Sequence, residues 1–230
     1  MENSNNNFLV PVAILIAGAL IVWGIISNDG SNSNNNNDDG TATTTSMKPV
    51  SADDHILGSP DADLVIVEYS DLECPFCKNF HFTTKKIMDE YGKTGKVALV
   101  FRHFPLDQLH SQARGEAIAT ECAAKLGGNE KFWEYMDELF TVTPSNNGLD
   151  LKQLPVIAEK VGLDTEEFMT CLNDPAMAQK VEDQFQDGIS AGARGTPYSL
   201  ILDKDGGKTV INGAQPYEVV KQMIDSLLVR

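Results

Sequence analysis

Cations are scarce in this chain. Of its 230 residues, 18 are Lys or Arg against 33 Asp or Glu, a formal charge of −15. No basic patch is present to neutralise phosphates, so a nucleic-acid partner is not expected and the acidity reads as a solvated surface. Histidine and cysteine are few as well, four of each. None of His55, His81, His103 and His110 completes a familiar ligand spacing, and Cys122 and Cys171 stand singly, 49 positions apart. A zinc clamp needs two cysteine pairs, or one pair with spaced histidines, so no metal and no cofactor are expected. Internal repeats are lacking too.

One long apolar run exists. Residues 8–26, FLVPVAILIAGALIVWGII, carry no charge over nineteen positions, and as a helix they would span about 28 Å, close to the thickness of a bilayer core. They read as a single-pass transmembrane anchor behind a short polar tail, 1–7. A cleaved secretory signal is the alternative, but the run exceeds a usual signal core, no basic segment precedes it and no small-x-small site follows Ile26. Neither flank carries a nearby Lys or Arg, so charge does not set the orientation. Residues 27–53 are rich in Asn, Ser, Thr, Gly and Asp and cannot bury enough apolar surface to order themselves. They are expected to form a flexible linker with a reach of roughly 30 Å.

The globular part is expected from Asp54 to Arg230. LVIVEYS (64–70) is an almost continuous β-branched run, the pattern of a strand covered on both faces. An amphipathic helix follows from Pro75 to about Tyr91, then a second buried strand, KVALVFRHF (96–104). Strand, crossover helix and strand imply a parallel pair. The stretch of about 108–191 reads as helical, with SQARGEAIATECAAKLGG stopping at a glycine pair and DTEEFMTCL opening with Asp164 and Glu167 at capping-box spacing. YSLILD (198–203) and KTVIN (208–212) form a hairpin, and a last helix runs from about Gln215 to Val229. The fold class is therefore α/β, in the order βαβ, helical insertion, ββα.

The chemistry centres on SDLECPFCKNFH (70–81). With Cys74 at the N-cap of the helix, Pro75 falls at the first helical position, where its missing N–H costs nothing, and Cys77 falls at the third. A Cys74 thiolate can then accept hydrogen bonds from the first turn and gain from the helix dipole, which lowers its pKa. Asp71 and Glu73 push the other way. Glu68 interrupts the apolar strand six residues earlier, either as a buried carboxyl exchanging protons with Cys77 or as an edge residue reaching water. His81 shares a helical face with Cys77 and reads as a packing residue. In ARGTPYSL (193–200), Pro197 stands just before a strand, where it removes a ladder donor. A cis Thr196–Pro197 bond would turn the chain there; a trans proline in a loop is the alternative.

Together, DLVIVEYSDLECPFCKNFH, VALVFRHFPL, KFWEYMDELF and ARGTPYSLILDKDG resemble the DsbA-like thiol-disulfide oxidoreductases, a thioredoxin fold with a helical insertion, over roughly 54–230. The resemblance implies that Cys74 is the exposed nucleophile, Cys77 its buried partner, Thr196 and Pro197 the cis-proline loop facing the disulfide, and Glu68 the buried acid below it. It departs at Phe76, where the best-known strongly oxidising members carry His; Phe cannot donate a hydrogen bond to the thiolate. Cys122 and Cys171 each lie on an apolar helical face, and a translocated domain meets an oxidising compartment, so a structural disulfide is preferred to two buried thiols.

The expected function is a membrane-anchored, extracytoplasmic oxidase that donates the Cys74–Cys77 disulfide to reduced secreted proteins. A quinone-linked membrane protein would reoxidise it, by family analogy. With no dimerisation domain ahead of the catalytic region, a monomer is expected rather than a dimeric isomerase. The alternatives are a reductase using the same site and a non-catalytic module that holds peptides.

Overall fold

The computed structural model describes residues 46–229. The expected anchor at 8–26, the tail at 1–7 and most of the expected linker lie outside the described residues. Among the described residues, no helix is long and apolar enough to cross a membrane.

Five strands form one sheet: β1 (His55–Leu57), β2 (Leu64–Ser70), β3 (Val97–His103), β4 (Tyr198–Asp203) and β5 (Lys208–Asn212), in the spatial order β1-β3-β2-β4-β5. β2 and β3 are parallel, joined through α1 (Pro75–Glu90), with Glu68 opposite Phe101. β4 lies antiparallel on the other side of β2, with Glu68 opposite Ser199. β2 is therefore central, which accounts for its near-continuous apolar run. Leu64 and Ile66 join the core cluster that includes Cys77, Phe80 and Ile87 of α1 and Val220 and Ile224 of α6 (Tyr217–Leu228). Val67 and Tyr69 point the other way, into a cluster with Phe104, Ala191 and Leu200. The even positions of β2 thus face the helix that carries the two cysteines.

The insertion comprises α2 (Ala113–Val142), α3 (Gln153–Lys160), α4 (Thr165–Cys171) and α5 (Pro175–Ala191). The glycine pair expected to stop a helix is where α2 departs from helical geometry: Gly128 has φ 77° and ψ −171°, a conformation open to glycine. Asp164 caps α4, its carboxylate accepting from the N–H groups of Glu166 and Glu167 at 2.9 Å each. Cys122 of α2 and Cys171 of α4 form a disulfide, which in the chain-entropy account is worth about 4 kcal/mol for a loop of this size.

The structure differs from the sequence reading at the start of the domain. β1 is a three-residue strand added antiparallel to β3, too short and too polar in its surroundings to show a period. Residues 46–53, assigned by composition to the linker, lie against the domain. Arg102 of β3 donates to the carbonyls of Lys48 at 3.0 Å and Pro49 at 3.3 Å. It also makes a two-pronged contact with Asp54, at 2.8 and 2.9 Å, and reaches Asp187 of α5 at 2.6 Å. One buried guanidinium fastens this segment by main-chain carbonyls, which composition cannot reveal.

Candidate active site

β2 ends at Ser70, and residues 71–73 turn the chain into α1. Cys74 occupies the N-cap with extended backbone, φ −77° and ψ 122°, and Pro75 opens the helix. The Cys74 carbonyl accepts the first helical bond from Lys78 N–H at 3.0 Å. Both cysteines are free thiols. The Cys74 thiol donates to the Thr196 carbonyl at 3.7 Å, and Asp71 N–H donates to Cys77 Sγ at 3.5 Å. The Thr196–Pro197 peptide is cis and stands immediately before β4.

Cys77 is fully buried, and Cys74 keeps only 4% of its surface. The implied exposed nucleophile is thus corrected to a residue with little exposed surface, its thiol lying against the Thr196 carbonyl of the cis-proline loop. Phe76 between them is 63% exposed. It points away from the core, since helix position N2 faces outward when N3 faces the sheet.

The two thiols are driven apart in acidity. Cys74 is lowered from 9.0 to about 6, chiefly by the hydrogen bond from the Cys77 thiol, against the effect of burial. The N–H groups of Cys77 and Phe76 and the Thr196 side chain add to this. Helix-start donors therefore contribute, but the partner thiol contributes most. Burial pushes Cys77 well above its ordinary value, and the neighbouring Cys74 adds to the rise.

Glu68 is 2% exposed, which settles its two readings in favour of the buried one: with strands on both sides of β2, no edge is available. Burial raises its pKa from 4.5 to about 7, with the Ser70 hydroxyl opposing. His81 packs instead on Phe140, ring centroids 4.8 Å apart, and contacts Asp137 at 2.7 Å.

A second group of acids flanks Cys74. Asp71, Glu73 and Glu116 are all essentially inaccessible. Asp71 accepts from the N–H of Glu73 at 2.8 Å and of Leu106 at 2.7 Å, and lies 3.0 Å from His110 Nδ1. Glu73 receives the N–H groups of Asn146, at its carbonyl, and of Asn147, at its carboxylate. These belong to a loop in which Ser145, Asn146 and Asn147 all have positive φ, at 65°, 54° and 63°. Glu73 Oε1 and both oxygens of Glu116 have no donor among the described residues, and two buried carboxyls so placed disfavour ionisation of one of them. Glu116 is accordingly pushed up to about 10, by burial first and then by Glu73 and Asp71.

The sequence reading missed Glu116 in α2, together with Ser70 and Ser199, whose buried hydroxyls stand beside Glu68. Ser70 carried a signal, being two residues from Glu68 on the same strand face. Glu116 carried none. A cleft of about 770 Å³, lined among others by Asp54, His55, Arg102, Glu121 and Lys180, includes neither thiol. Among the described residues, no group of three or more His, Cys, Asp or Glu could hold a metal ion.

The thioredoxin family matches residues 51–226, most of the chain. The chain belongs to the thioredoxin family. Within it the structure is similar to DsbA2 of Pseudomonas aeruginosa, with a TM-score of 0.63 and 29% identity over 78% of this chain and 97% of that one. It is also similar to alpha-DsbA1 of Wolbachia pipientis, with a TM-score of 0.67 and 27% identity over 78% and 92%. Family, neighbours and the Cys74–Cys77 pair together make this a DsbA-like thiol-disulfide oxidoreductase. A further relative is the Na(+)/H(+) antiporter NhaA 1 of Mycolicibacterium gilvum, 33% identical over 69% of this chain. The chain spans about a quarter of that relative's length, and antiport is a property of that whole protein.

Proposed function

We propose that this oxidoreductase is anchored to a membrane by residues 8–26, faces the extracytoplasmic side, and donates the Cys74–Cys77 disulfide to reduced secreted or envelope proteins. The observation that carries the direction is the asymmetry of the two thiols. A substrate thiolate attacks Cys74 Sγ, the Cys74–Cys77 bond breaks, and Cys77 leaves and takes up a proton, its favoured form. A second substrate thiolate then attacks the substrate sulfur of the mixed disulfide and expels Cys74 as a thiolate. A leaving group with a pKa near 6 departs readily and favours the reduced enzyme, so the disulfide oxidises others. Two electrons pass from substrate to enzyme. A membrane partner, quinone-linked by analogy with the family, returns the enzyme to the disulfide form.

Incubating the oxidised protein with a reduced, unfolded secreted substrate tests this. Substrate disulfides should form at the rate at which enzyme thiols appear, and Cys77→Ala, with Cys74 first converted to its mixed disulfide with thionitrobenzoate, should lose thionitrobenzoate to a single-thiol substrate and accumulate the Cys74–substrate mixed disulfide, which Cys74→Ala treated in the same way does not form. No substrate oxidation together with no trapped species ends the proposal. A reductase is the second reading, favoured by Phe76, which gives the thiolate no side-chain donor. A reduction potential near that of thioredoxin, about −270 mV, would establish it.

A further inference from the structure

Beneath the cysteines the sheet carries a short file of buried oxygens that no ordinary hydrogen bond satisfies: Glu68 Oε1, Ser70 Oγ, Ser199 Oγ and Thr196 Oγ1. Buried polar atoms without partners are uncommon and call for an explanation. Register places three of them together. Glu68 and Ser70 are two apart on β2 and share the face toward α1, and Ser199 stands directly opposite Glu68 on β4. The N–H of Asp71, the residue after Ser70, touches Cys77 Sγ at 3.5 Å, so the upper end of the file meets the buried sulfur.

The members differ in reach. The Ser70 hydroxyl bears on both the Glu68 carboxyl and the Cys77 thiol. Thr196 bears on the two thiols. Neither it nor Ser199 figures at both ends. His103, opposite Ser70 on β3, has its Nε2 engaged by Thr120 at 3.0 Å and Glu121 at 3.4 Å. A hydroxyl is one donor and two acceptors, so it can receive a proton at one lone pair while giving up its own. Contacts of this kind are often long in a resting enzyme and tighten when charge develops.

We propose that Ser70 is a positioning and relay residue that carries a proton between Glu68 and Cys77. When a thiolate attacks Cys74 and the Cys74–Cys77 bond breaks, the departing Cys77 sulfur takes the Ser70 Oγ proton, and Ser70 Oγ takes the carboxyl proton of Glu68. The Cys77 thiol and the Glu68 carboxylate result, with the serine unchanged. In the opposite direction the same three groups run in reverse. The inference rests on the oxidoreductase reading but not on its direction, because Cys77 must gain or lose a proton either way.

The test follows the reduction of the oxidised protein by dithiothreitol near pH 7, in H2O and D2O. Ser70→Ala should slow the step about tenfold, less than the ~10²–10⁴-fold of a lost general acid because Glu68 remains. Ser70→Thr should restore most of the rate, and Cys74 should still titrate near 6 in both variants. In a Glu68→Gln background, Ser70→Ala should cost no more than about twofold further, as expected of residues acting in series. A Ser70→Ala rate within about twofold of the parent, or effects of the two substitutions that multiply, overturns the relay. Should Ser70→Ala not fold, Ser70→Gly carries the same comparison. A protein that shows this pattern with dithiothreitol yet oxidises no secreted substrate would refute the donor direction and leave the relay standing.

Discussion

Two sets of buried carboxyl groups lie in this domain, and they are kept in opposite ways. Away from the thiols, Asp54 and Asp187 share the Arg102 guanidinium, with contacts of 2.8 and 2.6 Å. Glu121 meets His55 at 2.9 Å, Lys180 at 2.8 Å and His103 at 3.4 Å. Burial works to raise Glu121, but His103 and His55 overcome it and hold the group well below the usual carboxylate range. Beside the thiols, Glu68 and Glu116 have hydroxyls, other acids or no donor at all, and both are raised. Burial alone does not decide the charge of an acid here; the placement of the few cations does. The cations of the paired set hold elements together, whereas Glu68 and Glu116 are raised by burial and so keep a proton to give up.

The strongest way to break the contrast is to strip a cation from the paired set. Arg102→Ala leaves Asp54 and Asp187 buried without a counter-charge and frees the carbonyls of Lys48 and Pro49. Urea unfolding should show a loss of about 3–5 kcal/mol, the range for breaking a buried ion pair. A loss under about 1 kcal/mol would mean that water reaches the carboxylates and that the two sets do not differ in kind.

Glu68→Gln should act in the opposite sense. The folded pKa of Glu68, about 7, lies above its unfolded value, so its contribution is fully present below about pH 4.5 and is lost as pH rises through about 7. Removing the carboxyl should therefore stabilise the protein by about 3 kcal/mol near pH 8 and by little near pH 4. Equal effects at both values would refute the buried, protonated assignment. The same substitution should slow thiol exchange, so stability and activity move apart at this position.

Glu121→Gln supplies the mirror image. A depressed folded pKa gives stability that is present above the unfolded value and lost as pH falls through the folded one. The substitution should cost about 2 kcal/mol near pH 7, on the scale of hydrogen bonds to charged groups. That cost should shrink on acidification, whereas the Glu68→Gln gain shrinks in the same direction from the other sign. Unfolding curves of the two variants at three pH values would expose any departure.

How much of this could be read from the chain depended on whether the information was local. Cys74, Pro75 and Cys77 were legible because an N-cap, a first-turn proline and a third-position thiol are fixed by spacing within one helix turn. The strand of 64–70 was legible for the same reason. Glu68 was conspicuous as a charge among β-branched residues, but whether it was buried depended on β4, which the chain reaches only after the whole insertion. Glu116 belongs to a helix whose low amphipathicity hides which side faces Glu73, and its meaning comes only from that distant contact. Residues 46–53 misled because Ser, Pro and Asp look solvated, whereas the segment is held by Arg102 through main-chain carbonyls that every residue possesses.

The subtlest distinction lies within the unpaired set, between the acid below Cys77 and the acids flanking Cys74. Glu73 adjoins Cys74, and a naked carboxylate there would hold the thiol pKa up by about 1 unit or more. The geometry argues for less. Glu73 is supported by the N–H groups of Asn146 and Asn147, so part of its negative charge is met before it reaches the sulfur. The groups acting on Cys74 are Cys77, Phe76 and Thr196, and Glu73 is not prominent among them. Glu73→Gln should therefore lower the Cys74 pKa by only a few tenths of a unit, an interaction below about 1 kcal/mol. Thiolate absorbance against pH measures it directly. A fall of a full unit would show that Glu73 restrains the nucleophile, and the flanking acids would then belong to the control of oxidising strength rather than to the scaffold that holds the 145–147 loop in place.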